Sequence, residues 1–275
     1  MKRVITSLFA AGAIAMSAGA QEIPRMPDGK PDFNGVWQVM NTANWDLEPH
    51  AARSALQLRE GPYVPVPSSE VVALGAVGAV PAGLGVVEGG EIPYTPEALE
   101  RRNENRDDWV NRDPEIKCYL PGIPRANYMQ HLPFQIFQSD SALFFAYEYA
   151  GAVRNVYLED PGPAPIDSWM GQSVASWDGD TLEIEVTAQN GQPWLDRSGN
   201  FYSAQAVVNE RFTYVDANMI EYEATITDPA TFTEPWTMRM NLYRRRGDDA
   251  QLQQFKCVEF VEELMYGHLR REPLE

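Results

Sequence analysis

Residues 169–188 read WMGQSVASWDGDTLEIEVTA, and this stretch decides the fold. Ser173 to Trp177 forms one run, Asp178-Gly179 marks a turn, and Thr181 to Thr187 forms the return. Asp-Gly is a strong short-range hairpin signal, because a type I′ turn needs positive φ at both central residues. On the return run Leu182, Ile184 and Val186 fall on one face, and Thr181, Glu183, Glu185 and Thr187 on the other. Strict alternation with one apolar face is the pattern of a half-buried antiparallel strand.

Outward from this hairpin, similar short runs occupy about 133–138, 142–149, 152–158, 205–215, 218–227, 235–245 and 251–257. Asp-Ser, Ala-Gly, Asp-Ala-Asn and Arg-Gly-Asp-Asp punctuate them. Many short strands joined by tight turns predict a mainly β chain, an antiparallel barrel or sandwich. Residues 21–33 form a Pro-rich extended arm, and 41–92 lack periodicity and read as an excursion that could cover a barrel opening. Val71 to Val87 is free of charge, but its Gly and Pro content argues against a membrane span. Thr95-Pro96-Glu97 is a helix start, with Thr as N-cap and Pro at the first helical position, and the helix is expected to reach about Asn111. KCYLPGIPR (117–125) is a turn-rich lead-in to the main sheet. Between Glu259 and Arg271, Val261, Leu264, Met265 and Leu269 recur at helical spacing, which predicts a C-terminal helix packed outside the barrel.

Lys2 and Arg3, an apolar run to Met16 and the small residues Ser17-Ala18-Gly19-Ala20 have the form of a secretory signal peptide cut after Ala20. The expected organisation is therefore a leader over 1–20, an arm with first strand, excursion and helix over 21–115, and a main barrel over 116–275 that forms one structural domain with the arm. The expected location is periplasmic or secreted, without a membrane anchor. The net charge of −17 argues against nucleic acid or an anionic membrane as partner, since both call for positive potential. Cys118 and Cys257 are the only cysteines. In an oxidising compartment an even, widely spaced pair suggests one disulfide, and neither lies in a CxxC or Cys-His arrangement.

Asn34-Gly35-Val36-Trp37-Gln38 opens the first strand, and Gly-x-Trp there resembles the start of lipocalin-like barrels, in which the Trp closes the floor. The blocks VVEGGEIPY (86–94), DPEIKCYLPGIPR (113–125), YEYAGAVRNVY (147–157), SWMGQSVASWDGDTLEIEV (168–186), DRSGNFYSAQAVVNERF (196–212), EYEATITDPATFTEPW (221–236) and FKCVEFVEELMYGHLRR (255–271) resemble a bacterial exported family with a lipocalin-like, calycin-like barrel. That resemblance covers most of the chain after residue 85 and implies fold and export, but no reaction. Two positions depart from the family pattern. Tyr202-Ser203 stands where His-Ser is expected, and Val174-Ala175-Ser176 replaces a charged, Gly-containing turn. If that His is an acid or base in relatives, this chain either lacks the activity or uses Tyr202 in its place.

Glu210 is the sharpest anomaly, because alternation places it among Ala206, Val208, Phe212 and Tyr214 on an apolar face. Arg154 poses the same question among Ala152, Val156 and Leu158. A carboxylate on a buried face must be paired, hydrogen-bonded or protonated. A structural ion pair of the two is preferred over a pocket acid or base. His131, in the loop before the first main strand, is the histidine best placed for acid–base work; with His50 and His268 far off in sequence, no metal site is expected. Asp196 reads as an Asx-turn residue that could assist. No nucleophile elbow, phosphate loop or dinucleotide fingerprint occurs, and no cofactor is expected. Tyr147, Trp169, Trp177, Trp194, Tyr222 and Trp236, with Arg154, are the candidate lining of a pocket for a small apolar or aromatic molecule. Three functions follow as expectations. The first is a small-molecule binding barrel. The second is a cofactor-free lyase, isomerase or cyclase using Glu210, His131, Tyr202 or Asp196. The third is a structural or interaction protein with a filled core.

Overall fold

The computed structural model describes residues 22–54, 79–129, 132–261 and 264. The signal segment, residues 55–78 of the 41–92 excursion, His131 and most of the C-terminal tail lie outside them.

The chain enters through β1 (Gly35–Val39) and then two short strands, β2 (Arg53–Ser54) and β3 (Ala79–Val80), which pair with each other. Two helices follow, α1 (Pro96–Asp107) and α2 (Trp109–Arg112). The expected single helix breaks at Asp108, whose φ of −115° and ψ of 41° leave the helical region. Its start is as read: the Thr95 side chain accepts from the Ala98 amide at 3.3 Å, with Pro96 opening the first turn.

The remaining strands are β4 (Phe134–Gln138), β5 (Ala142–Tyr147), β6 (Val153–Tyr157), β7 (Gln172–Asp178), β8 (Thr181–Thr187), β9 (Val207–Asp216), β10 (Met219–Thr227) and β11 (Trp236–Arg244). With β1 they close a nine-stranded barrel in the order β1-β11-β10-β9-β8-β7-β6-β5-β4, a lipocalin-like architecture. Closure removes the sheet edges that an open sheet would expose.

Three features differ from the reading of the sequence. The barrel is not wholly antiparallel: β6 and β7 run parallel. The Pro-rich connection 158–171 carries the chain back along the barrel, the long crossover that a parallel pair requires. In the central hairpin Asp178 pairs with Thr181, so the turn residues are Gly179 and Asp180. Only Gly179 has positive φ (61°), which is the II′ arrangement with Gly first rather than I′. The run 251–257 is not a strand, because both sides of β11 are already occupied by β10 and by β1. Side contacts hold that run instead: Phe255 packs on Tyr149 and the Gln253 amide donates to Glu148 at 2.7 Å. Cys257 joins Cys118 in the expected disulfide, with Cα atoms 5.6 Å apart.

One end of the barrel is a floor. Trp37 is fully buried there, and its indole N–H donates to the Phe33 carbonyl at 2.9 Å. The Arg244 guanidinium lies 4.3 Å from the Trp37 ring centre and donates to the Tyr214 hydroxyl at 2.8 Å. At the other end β1 is too short to flank all of β11, and residues 86–88 take its place: the Arg239 amide donates to Val86 and the Glu88 amide to Thr237, each at 2.9 Å.

Candidate functional site

The charged pair read from the strands is present inside the barrel. Arg154 on β6 and Glu210 on β9 are 3% and 1% exposed, and a guanidinium nitrogen of Arg154 donates to one Glu210 oxygen. The other Glu210 oxygen accepts from the Asn127 amide and the Tyr222 hydroxyl, each at 2.7 Å. Asn127 in turn accepts from the Tyr147 hydroxyl at 3.0 Å, and Arg154 Nε donates to Ser173 at 2.7 Å. Burial alone would lower the Arg154 pKa, but Glu210 and then Tyr147 outweigh it and hold the guanidinium charged. Burial raises the pKa of Tyr147 and of Tyr222, so both phenols stay protonated as donors. Arg154 Nη1 is buried without a hydrogen-bond partner among the described residues, and its guanidinium lies 5.3 Å from the Phe145 ring centre.

Asn127 was not among the candidate residues, and it closes this network from above. It sits on a short 3-10 turn, Arg125–Tyr128, within a segment, 121–129, whose residues are all buried. Residues 121–129, the end of the turn-rich lead-in and the 3-10 turn after it, therefore form a plug seated over Glu210. Nothing in its sequence marks Asn127, since Asn in a Pro-Gly-rich loop reads as turn chemistry.

Behind the plug lies a second charged layer. Glu115 binds Arg197 at 2.7 Å and Arg125 at 2.5 Å, and Arg125 also donates to Asn44 at 3.0 Å. Burial would raise the Glu115 pKa, but Arg197 and Arg125 drive it down to about 2. Burial pushes Asp113 up to about 6, against the pull of Arg125. Asp196 forms the expected Asx turn, accepting from the Ser198 amide at 2.9 Å, and also binds the Leu47 amide at 2.8 Å. Burial, and then the neighbouring Asp46 carboxyl, lift its pKa to about 7. Folded Asp196 and Asp113 thus keep protons that the unfolded chain has already lost, so stability is full at acid pH and falls as pH rises through about 6–7. Glu115 works oppositely, and its contribution is lost only as pH falls toward about 2. The thermal midpoint is expected to drop by roughly 10 °C between pH 5 and 7.5, on about 4 kcal/mol from the two groups at about 1.4 kcal/mol per tenfold change in proton affinity. Calorimetry in 0.5 M salt checks this, because salt screens repulsion on the acidic surface more than it screens a buried pair. A midpoint that is flat or rising over that range would contradict it.

Tyr202 is buried and donates to Gln189 at 2.7 Å; Gln189 also bonds both the amide and the carbonyl of Ile123. It thereby anchors the plug and makes no hydrogen bond to the Glu210 network. His131 lies outside the described residues.

The candidate aromatic lining divides between four places. Tyr147 and Tyr222 belong to the Glu210 network. Trp177 packs against Phe33 near the floor, with the Lys30 ammonium 5.2 Å from its ring centre. Trp236 meets Phe232 edge to face at 5.5 Å, and its buried indole N–H has no hydrogen-bond partner among the described residues. Trp169 and Trp194 line an open cleft of about 410 Å³ outside the barrel, together with Tyr119 and Phe201. Trp169 stacks on Tyr119 with ring centres 5.0 Å apart. Gly199 brings the Phe201 loop against α1: a Cβ there would lie 2.8 Å from the Arg102 carbonyl oxygen and from the Arg106 nitrogen, at a φ of +86°. Asn105 on α1 donates to the Gly199 carbonyl at 3.2 Å, which fixes that wall of the cleft.

Among the described residues no group of three or more His, Cys, Asp and Glu side chains is placed to hold a metal ion. No helix among the described residues is long and apolar enough to cross a membrane. Comparison with models of protein families, with curated proteins and with solved structures finds no match to this chain.

Proposed function

We propose that this chain is an exported lipocalin-like barrel protein that binds a small apolar or aromatic molecule, and that the cleft beside the barrel is its binding site. The observation that carries this reading is the cleft itself, with Trp169, Trp194, Tyr119 and Phe201 converging on about 410 Å³. That is within the size range of small-molecule pockets, and the lining sets four aromatic rings among Arg, Lys, Asn and Gln side chains. A closed barrel is a rigid support for such a site. The leader-like first twenty residues, the disulfide and the resemblance of the sequence blocks to an exported bacterial family support export to the periplasm or beyond.

The acid–base alternative draws less support. A general base needs a lone pair within reach of substrate. Both oxygens of Glu210 are engaged by Arg154, Asn127 and Tyr222 beneath the buried plug. Fold analogy alone would favour neither reading.

Native mass spectrometry of the protein taken from its own exported fraction tests the proposal. The expected spectrum starts at Gln21 and carries a bound small molecule, which is lost in Trp169→Ala. A mass still containing residues 1–20 would refute export by cleavage. A ligand that survives Trp169→Ala undiminished would refute the cleft as its site.

A further inference from the structure

We infer that the molecule taken by the cleft is an anion, a small aromatic carboxylate. This rests on the proposed binding role of the cleft and adds a charge to its ligand. The chain holds 39 Asp and Glu against 22 Lys and Arg, yet among the described residues the cleft wall contains Arg101, Arg112 and Lys117 and no carboxylate. On a surface of net charge −17, a concave patch of uniformly positive sign is the reverse of what average composition would place there. A cleft lined by one sign of charge concentrates ligands of the other.

The three cations differ in how far they are already neutralised. Arg112 is bound on the helix side by Glu104 at 3.0 Å and Asp108 at 3.4 Å. Lys117 forms no ion pair among the described residues, and neither does Arg101, which lies 4.5 Å from the Phe201 ring centre. Two cations without carboxylate partners among the described residues therefore line a space that aromatic rings also wall. Asn111 and Gln192 add amide groups at the same wall. Cations answer a carboxylate by charge-assisted hydrogen bonds, about twice as strong as neutral ones. Trp169, backed by Tyr119, and the buried Trp194 answer a planar ring. The two requirements together describe an aromatic acid, whereas an apolar ligand would leave the cations unanswered.

Titration of the full chain with 1-naphthoate and with its neutral analogue 1-naphthalenemethanol tests this, by calorimetry and by tryptophan fluorescence. The acid is expected to bind at least tenfold more tightly than the alcohol at low salt, with the gap narrowing as sodium chloride is added. The double variant Arg101→Gln, Lys117→Gln, checked for an unchanged thermal midpoint, is expected to bind the acid no better than the alcohol. Equal affinities for the two probes, or an acid preference that survives the double variant, would overturn the inference and leave an apolar cleft. Cyclohexanecarboxylate binding as tightly as naphthoate would overturn its aromatic part. If neither naphthyl probe binds while native mass spectrometry finds a Trp169-dependent ligand, the inference fails and the binding role stands. If no ligand of any kind depends on Trp169, both fail.

Discussion

Glu210→Leu is expected to lose about 3–5 kcal/mol of folding stability, the cost of leaving one member of a buried ion pair uncompensated. Arg154 is 3% exposed, and among the described residues its guanidinium would then keep Ser173, Tyr147 and the face of Phe145, with no carboxylate. Asn127 and Tyr222 would lose the oxygen they share, so donors on the plug and on β10 would be orphaned with it. The double variant Glu210→Leu, Arg154→Met removes both charges, and it is expected to recover most of the loss, because apolar replacements of buried pairs are often neutral. Equilibrium unfolding in urea of the wild type, both single variants and the double variant measures the coupling directly. A single-variant loss below about 1 kcal/mol would mean that water or rearrangement reaches this site. Such a result would reopen Glu210 as a group able to exchange a proton.

The second large effect concerns the disulfide. Cys118 and Cys257 are separated by 139 positions, and everything from the plug to the end of β11 lies inside the loop they close. On the chain-entropy model, cross-linking a loop of that length contributes about 4–5 kcal/mol by constraining the unfolded chain. Cys118→Ser with Cys257→Ser is accordingly expected to lower the urea midpoint and to steepen the denaturant dependence, because the unfolded chain then exposes more surface. A loss under about 1 kcal/mol would show that the 251–257 run detaches locally before the barrel opens. That outcome would place the stabilising role of the bond in holding the tail rather than in the barrel.

The strands were legible because each carries its own burial pattern. Leu182, Ile184 and Val186 alternate with polar residues, and the buried face they specify needs no knowledge of the partner strand. The same alternation exposed Glu210 and Arg154 as charges on buried faces, and it made their pairing the natural expectation. The run 251–257 shows the limit: local alternation is not enough when no strand edge is free to receive it. The pocket lining was less legible. Aromatic residues spread over a barrel sequence carry no label for inside, floor or outer wall, so Trp177, Trp236 and Trp169 looked equivalent.

By itself, then, the sequence determined a mainly β chain, its main hairpin, the helix start at Thr95, the disulfide and the buried charged pair. Each of these follows from local periodicity, capping chemistry or a count of residue types. Tertiary structure alone decided the parallel β6–β7 pair, the seating of Asn127 over Glu210, and the gathering of Arg101, Lys117, Trp169 and Trp194 around one cleft. Those residues come from α1, the lead-in and two loops, far apart in the chain. Their positions depend on where long connections pack, and that is set by the closed barrel as a whole rather than by any neighbour in sequence.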